Sequence, residues 1–340
     1  MTNKMRYLLV ALMLFSFSSC ATQPMPKAER VELEKEIPEA IIKSYEVSDA
    51  PKDSSAKKVA PTVIHDEPAT TATVVETKKK IKESKKEKQT ATSSIPFRRP
   101  KVDPFRQGEK VTFDVTWLKT TAGELSLEIL PLKYIEGRQV YHFKGTARTT
   151  SFIASFYRAE DFVESFVDYE GLFPYKFILF GDESKHRRDG LEMYDHVKGK
   201  QYVYIKDDRL NGDVSEDKGI KDLVPYAQDA LSVLYYLRTL KLEKDKSEDV
   251  SVATFGKMSL LTVTNVGPED LKTKTGRFNA LKLKVIMLYK GEKKYEENTF
   301  WVTNDDRRIP LKFEMKVKIG WVSGILKHVN YGEPFPNVGK

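Results

Sequence analysis

Five histidines, one cysteine and a few adjacent acids are the residues of this 340-residue chain whose types suit catalysis or metal binding. His65, His142, His186, His196 and His328 are scattered, with no HExxH or comparable ligand spacing. His186 and His196 flank HRRDGLEMYDH, read as a hairpin, with Asp182, Glu183 and Asp195 close by in sequence. Paired across strands they would make a weak metal site, and exposed hairpin residues are the stronger reading. Asp305 and Asp306 sit in TNDDRRIP, where turn chemistry accounts for Asn304 and Asp305 without catalysis. A GxSxG elbow, a P-loop and a dinucleotide fingerprint are all absent. The partners of a serine triad need not be close in sequence, and nothing here points to one. The sequence therefore predicts no catalytic residue, no metal and no cofactor.

Cys20 is the single thiol, and its position gives it a chemistry. Lys4 and Arg6 precede an apolar run from Tyr7 to Phe17, the layout of a bacterial signal peptide and too short to span a bilayer. Ser18, Ser19 and Cys20 follow, and this order resembles the lipobox read by the lipoprotein signal peptidase, with Phe17 where an aliphatic is usual. The resemblance implies a signal peptide over 1–19 and lipidation of Cys20, with the membrane as partner through its acyl chains. Ala21 after the cysteine implies outer-membrane sorting and a periplasm-facing domain, surface exposure not being excluded.

The mature chain divides by composition. Residues 20–104 read as a disordered tether, rich in Lys, Pro, Thr and Ala. From Ala21 to Pro96 the one aromatic is Tyr45, and the first glycine of the chain is Gly108. In AERVELEKEIPEAIIKSY a transient helix, interrupted at Pro38, is a weaker local alternative. KKKIKESKKEK, Lys78 to Lys88, reads as a self-repelling spacer in preference to a contact for phosphates or acidic polymer. The net charge of +8 lies largely in the first hundred residues, which hold 18 basic against 13 acidic groups. The remainder is near balance and carries no basic stripe with interleaved aromatics, so nucleic acid is not an expected partner.

Residues 105–335 must supply whatever site exists. Val111, Phe113, Val115 and Trp117 alternate with Thr112, Asp114 and Thr116, the period of a half-buried strand. About a dozen such segments follow, separated by turn signals, and close neighbours in sequence favour antiparallel pairing. DLVPYAQDALSVLYYLRTLKLEK breaks the pattern with apolar residues at helical spacing, predicting one amphipathic helix over about 223–241. The expected fold is mainly β: a strongly curved antiparallel sheet forming an open or closed barrel, with this helix packed on it.

GEKVTFDVTWLKTTAGELSLEI, YAQDALSVLYYLRTL, TKTGRFNALKLKV and FWVTNDDRRIPLKFEMKVKIGWVSGIL together resemble, in order, the motifs of a bacterial exported envelope family, domain of unknown function 3108. The resemblance covers roughly Phe105 to Tyr331 and implies an exported, mostly β protein without established catalytic residues. A curved sheet with a helix can enclose a groove. Trp117, Tyr157, Tyr235, Trp301 and Trp321 are its candidate liners, with Arg158, Arg238 and Arg188 for charge. Core packing for each aromatic and an exposed salt bridge for each arginine are the plainer readings. The expected function is binding of an envelope ligand, a lipid or acyl chain or a peptidoglycan-type glycan. The alternative is a structural tether for an envelope protein partner, and an envelope hydrolase stands a distant third.

Overall fold

The computed structural model describes residues 39–49, 97–289, 295–317 and 320–336. Fourteen strands lie in one antiparallel sheet among them. The first eight are β1 (Lys110–Trp117), β2 (Thr120–Ile135), β3 (Arg138–Thr149), β4 (Ala159–Asp168), β5 (Pro174–Glu183), β6 (His186–Asp195), β7 (Lys200–Arg209) and β8 (Val214–Asp222). The last six are β9 (Ser247–Thr254), β10 (Lys257–Thr273), β11 (Gly276–Tyr289), β12 (Tyr295–Thr303), β13 (Pro310–Lys316) and β14 (Trp321–Asn330). Strands β1 to β8 form one meander and β9 to β14 another. They join where β1 pairs β14, from Lys110↔Asn330 to Trp117↔Val322. The sheet stays open, with β8 and β9 as its hydrogen-bonding edges.

The two edges are protected differently. Strand β8, VSEDKGIKD, is almost wholly exposed, and its dense charge discourages pairing with another chain. Strand β9 is rolled inward. Its Val250 and Val252 pack with Val233, Leu237 and Leu240, whereas Ala253 and the following Phe255 belong to the main core. The Phe255 ring lies over Gly190, where an added Cβ would come within 2.7 Å of it. A glycine in mid-strand marks such a close approach.

The connector from β8 to β9 fills the rolled sheet. Its first part is extended: Gln228 bridges Val252 in parallel, donating its N–H to the Ser251 carbonyl at 2.8 Å and accepting from Ala253 at 2.8 Å. The predicted helix over 223–241 is therefore confined to a short helix α3 (Ser232–Tyr236) and one 3-10 turn, Leu237–Thr239. Asp229 accounts for the late start. Its carboxylate accepts the N–H groups of Leu231 and Ser232 at 2.7 and 2.6 Å, and the Ser232 hydroxyl accepts from the Asp229 N–H at 2.8 Å, a reciprocal cap. Apart from half-buried Leu234, the apolar residues at helical spacing are buried, and a segment enclosed this way needs no long amphipathic helix. Leu231 and Tyr235 sit among Phe105, Leu127, Phe143 and Phe177. Burying each such side chain contributes about 1.5–3 kcal/mol.

Two parts of the expected tether belong to the folded body. Residues 97–104 lead into the core, where Arg98 and Arg99 donate their N–H groups to the Glu170 carbonyl at 2.9 and 3.1 Å. Helix α1 (Glu39–Ser44) is followed by Ser48, which bridges Tyr134, and by Tyr45 and Val47, which cover Ile135, Val140 and Phe166. We call 39–49 the strap. The other tether residues and Cys20 lie outside the described residues. The expected hairpin between His186 and His196 is also corrected. RRDG continues straight through β6, so the two histidines end up at opposite ends of one strand, about 30 Å apart.

Candidate functional site

The groove expected from sequence is not assembled. Tyr235 stacks face to face on Phe143 at 3.8 Å and lies edge-on to Phe105, inside the packed core. Arg238 is buried in a bidentate pair with Glu109, at 2.6 and 3.0 Å, and reaches the carbonyls of Pro104 and Arg307 at 3.1 Å. Both are interior structural residues. Trp301 is buried with the ammonium groups of Lys282 and Lys312 over its ring. Tyr157 is buried and donates to Glu183, which also pairs with Arg188. Arg158 pairs with Asp182 at 2.8 Å and Glu160 at 3.6 Å. Trp117 packs half-buried against the core at the end of β1, and Trp321 is exposed. Tyr157, Arg158 and Arg188 gather about Asp182 and Glu183, and Trp117 and Trp321 are neighbours at the β1–β14 seam, but the set as a whole lines no common groove.

The site that the structure does build was not singled out in the sequence. It is a cleft of about 460 Å³ between the strap and the opposite end of the barrel from Trp117. One wall is Ala40, Ile41, Ser44 and Tyr45 of the strap; the other carries Phe173, Tyr175, Tyr194, His196, Tyr202 and Tyr226. The aromatic wall is organised by His196. Its ring meets Phe173 edge-on at 4.6 Å and is near parallel to Tyr194 and Tyr226 at 6.1 and 5.8 Å. Its Nε2 donates to the Pro174 carbonyl at 2.7 Å and its Nδ1 accepts the Tyr226 N–H at 2.8 Å, which fixes one neutral tautomer. Burial pushes His196 down to about 4, against the Pro174 carbonyl and Asp195, which favour the charged form.

Charged groups frame the cleft: Glu136 and Asp195 with Arg138 and Lys198. Arg138 forks onto Asp168 at 2.6 and 3.0 Å, and Asp168 also accepts from the Tyr175 hydroxyl at 3.2 Å and from the N–H groups of Glu170 and Gly171. This network holds the β4–β5 loop, and with it the Phe173 and Tyr175 wall, in one geometry. Deeper, burial raises the Glu192 carboxyl well above its usual range, while Gln201 and the Phe255 N–H hydrogen-bond to it. Asp229 is pushed up to about 6 by burial, against the Ser165 hydroxyl. These acids support the interior and do not face the cleft. Among the described residues no group of three or more His, Cys, Asp or Glu could hold a metal ion.

In the sequence, the lone Tyr45 in an aromatic-free stretch was the signal for the strap, and the spacing of Tyr194, His196 and Tyr202 the signal for the wall. Pairing them needs the sheet.

An open, rolled antiparallel sheet around an internal connector, with a cleft at one end, defines an all-β barrel-like protein. The chain belongs to the family described as "Protein of unknown function (DUF3108)", which matches residues 112–327. No curated protein matches the chain. Among solved structures, a beta-barrel-like DUF1849 protein from Brucella abortus is similar at 11% identity and a TM-score of 0.44, over 66% of this chain and 98% of that one. A "putative lipoprotein" from Parabacteroides distasonis shares 10% identity with a TM-score of 0.30, over 70% and 100% of the two chains. Among the described residues no helix is long and apolar enough to cross a membrane.

Proposed function

We propose that this chain is an outer-membrane lipoprotein, anchored through Cys20, whose periplasmic β-domain binds an envelope glycan in the aromatic cleft under the strap. The observation that carries this reading is the composition of the cleft. The partly exposed rings of Tyr175, Tyr202 and Tyr226, backed by buried Phe173, Tyr194 and His196, suit the C–H faces of sugar rings, and the charges framing the cleft suit their hydroxyl groups. The core beneath is packed with Leu231, Tyr235, Phe143 and Phe255, which favours a glycan at the rim over an acyl chain inside the barrel.

The test is calorimetric titration of the mature chain carrying Cys20→Ser with soluble peptidoglycan fragments. Binding that falls about tenfold or more in Tyr202→Ser, with thermal stability retained, supports the reading. Absence of binding by the folded parent, or identical binding by the variant, sinks it. Metabolic acyl labelling of parent and Cys20→Ser in cells checks the anchor separately.

A further inference from the structure

At the end of the barrel away from the cleft, large apolar side chains face solvent. Phe152 and Phe156 are 68% and 67% exposed, Leu118 57% and Trp321 53%. Three connections bring them together. Helix α2 (Ser151–Ala154) follows β3, and Thr150 donates its N–H to the Ala122 carbonyl near the start of β2. Phe152 and Phe156 flank this turn with their rings edge to face at 5.7 Å. Leu118 forms the β1–β2 turn with Lys119, both at positive φ, and its Cδ2 would stand 3.2 Å from a Cβ on Gly320, next to Trp321. Thus α2, the β1–β2 turn and the start of β14 form one continuous rim. Half-exposed Ile153 and Trp117 extend it.

The rim itself is basic. Its segments 117–123, 148–158, 316–317 and 320–323 contain Lys119, Arg148, Arg158 and Lys316 and no acid. The nearest acids pair with the two arginines, Glu124 with Arg148 at 3.1 Å and with Lys327, and Asp182 and Glu160 with Arg158 at 2.8 and 3.6 Å, which leaves Lys119 and Lys316 as the rim's excess positive charge. Exposed aromatic and aliphatic tips ringed by Lys and Arg have the composition of a surface that lies in the headgroup layer of an anionic bilayer.

We propose that this rim is a membrane-docking surface, which seats Phe152, Phe156, Leu118 and Trp321 in the interface of a bilayer containing anionic phospholipid. The contact is additional to any lipid on Cys20 and independent of the cleft. The 19 residues from Cys20 to Glu39, where the strap docks, reach on the order of 65 Å when extended, about twice the length of a ten-residue strand, so an anchored chain can present either end of the barrel to the bilayer. Docked by its rim, the domain points the cleft away from the membrane.

The experiment uses the unacylated mature chain, Cys20→Ser, and vesicles of phosphatidylethanolamine with phosphatidylglycerol, compared with phosphatidylcholine vesicles. Co-flotation with the anionic vesicles and a blue shift of tryptophan emission that is lost in Trp321→Phe are expected. Phe152→Ser with Phe156→Ser should lower the bound fraction about tenfold at unchanged thermal stability, these side chains being exposed. Any affinity that the lysine run 78–88 adds for anionic lipid is common to parent and variants, so the serine variants separate it from the rim. Vesicle binding equal to the parent in those variants, or no binding by the parent, overturns the proposal. A parent that dimerises without lipid, and loses the dimer in the same variants, assigns the rim to a second copy and overturns it as well.

Discussion

Arg238, on the connector inside the rolled sheet, and Glu109, at the entrance of β1, face each other through two parallel hydrogen bonds of 2.6 and 3.0 Å with both side chains buried. Arg307 joins from the β12–β13 loop, so one carboxylate ties three segments distant in sequence. Desolvation makes such a pair costly to form and more costly to break. Glu109→Ala leaves Arg238 buried without its counter-charge and should destabilise the domain by about 3–5 kcal/mol in urea unfolding. A loss below about 1 kcal/mol would mean that water reaches Arg238.

Glu192 yields a prediction in pH. Burial raises its pKa well above the ordinary value of 4.5, so the native state keeps a proton that the unfolded chain releases above that pH. The native state then holds more protons, and stability falls as pH rises. His196, lowered to about 4 from 6.5, has the opposite sign and gains stability with rising pH between those values. It is shared by parent and variant and cancels in their difference. Glu192→Gln should therefore flatten the fall in stability above about pH 4.5, by up to about 1.4 kcal/mol per pH unit relative to the parent. Parallel profiles for the two proteins would show that Glu192 titrates normally.

The strap supplies a third. Tyr45 and Val47 cover Ile135, Val140 and Phe166, and the Ser48–Tyr134 bridge adds hydrogen bonds of 3.0 and 2.9 Å. Limited proteolysis should leave the bonds within 39–49 uncut in the native protein. Tyr45→Ala removes about 1–2 kcal/mol of local burial and should expose those bonds while the sheet stays folded. Cutting within 39–49 at equal rates in parent and variant would show that the strap is not docked.

Much of the sheet was legible because alternation survives wherever one face is buried. Val111, Phe113 and Val115 in β1 and Leu281, Leu283 and Val285 in β11 show it directly. Strand β8 was not legible, since neither of its faces is buried and VSEDKGIKD carries no apolar period. The connector misled because enclosure on all sides and a helical stripe look alike in sequence; Asp229 and the Gln228 pairing with β9 decided between them. Arg238 looked like a groove residue because its counter-charge, Glu109, lies far away in the chain. The cleft was hidden for the same reason: its walls come from residues 40–45 and 173–226, and only the folded sheet sets one against the other.

The junction of the two meanders has a kinetic consequence. Strand β1 is built early, yet one of its neighbours is β14, so Lys110 waits for Asn330 and Gln107 for Glu333. The hairpins close locally and quickly, whereas this seam spans almost the whole domain and must be among the last contacts to form. A chain made from its N-terminus carries β1 as an open edge until its final segment appears. Truncation before β14 therefore removes more than one strand: it leaves β1 and β13 as two raw edges in the middle of the sheet, ready to pair with other chains.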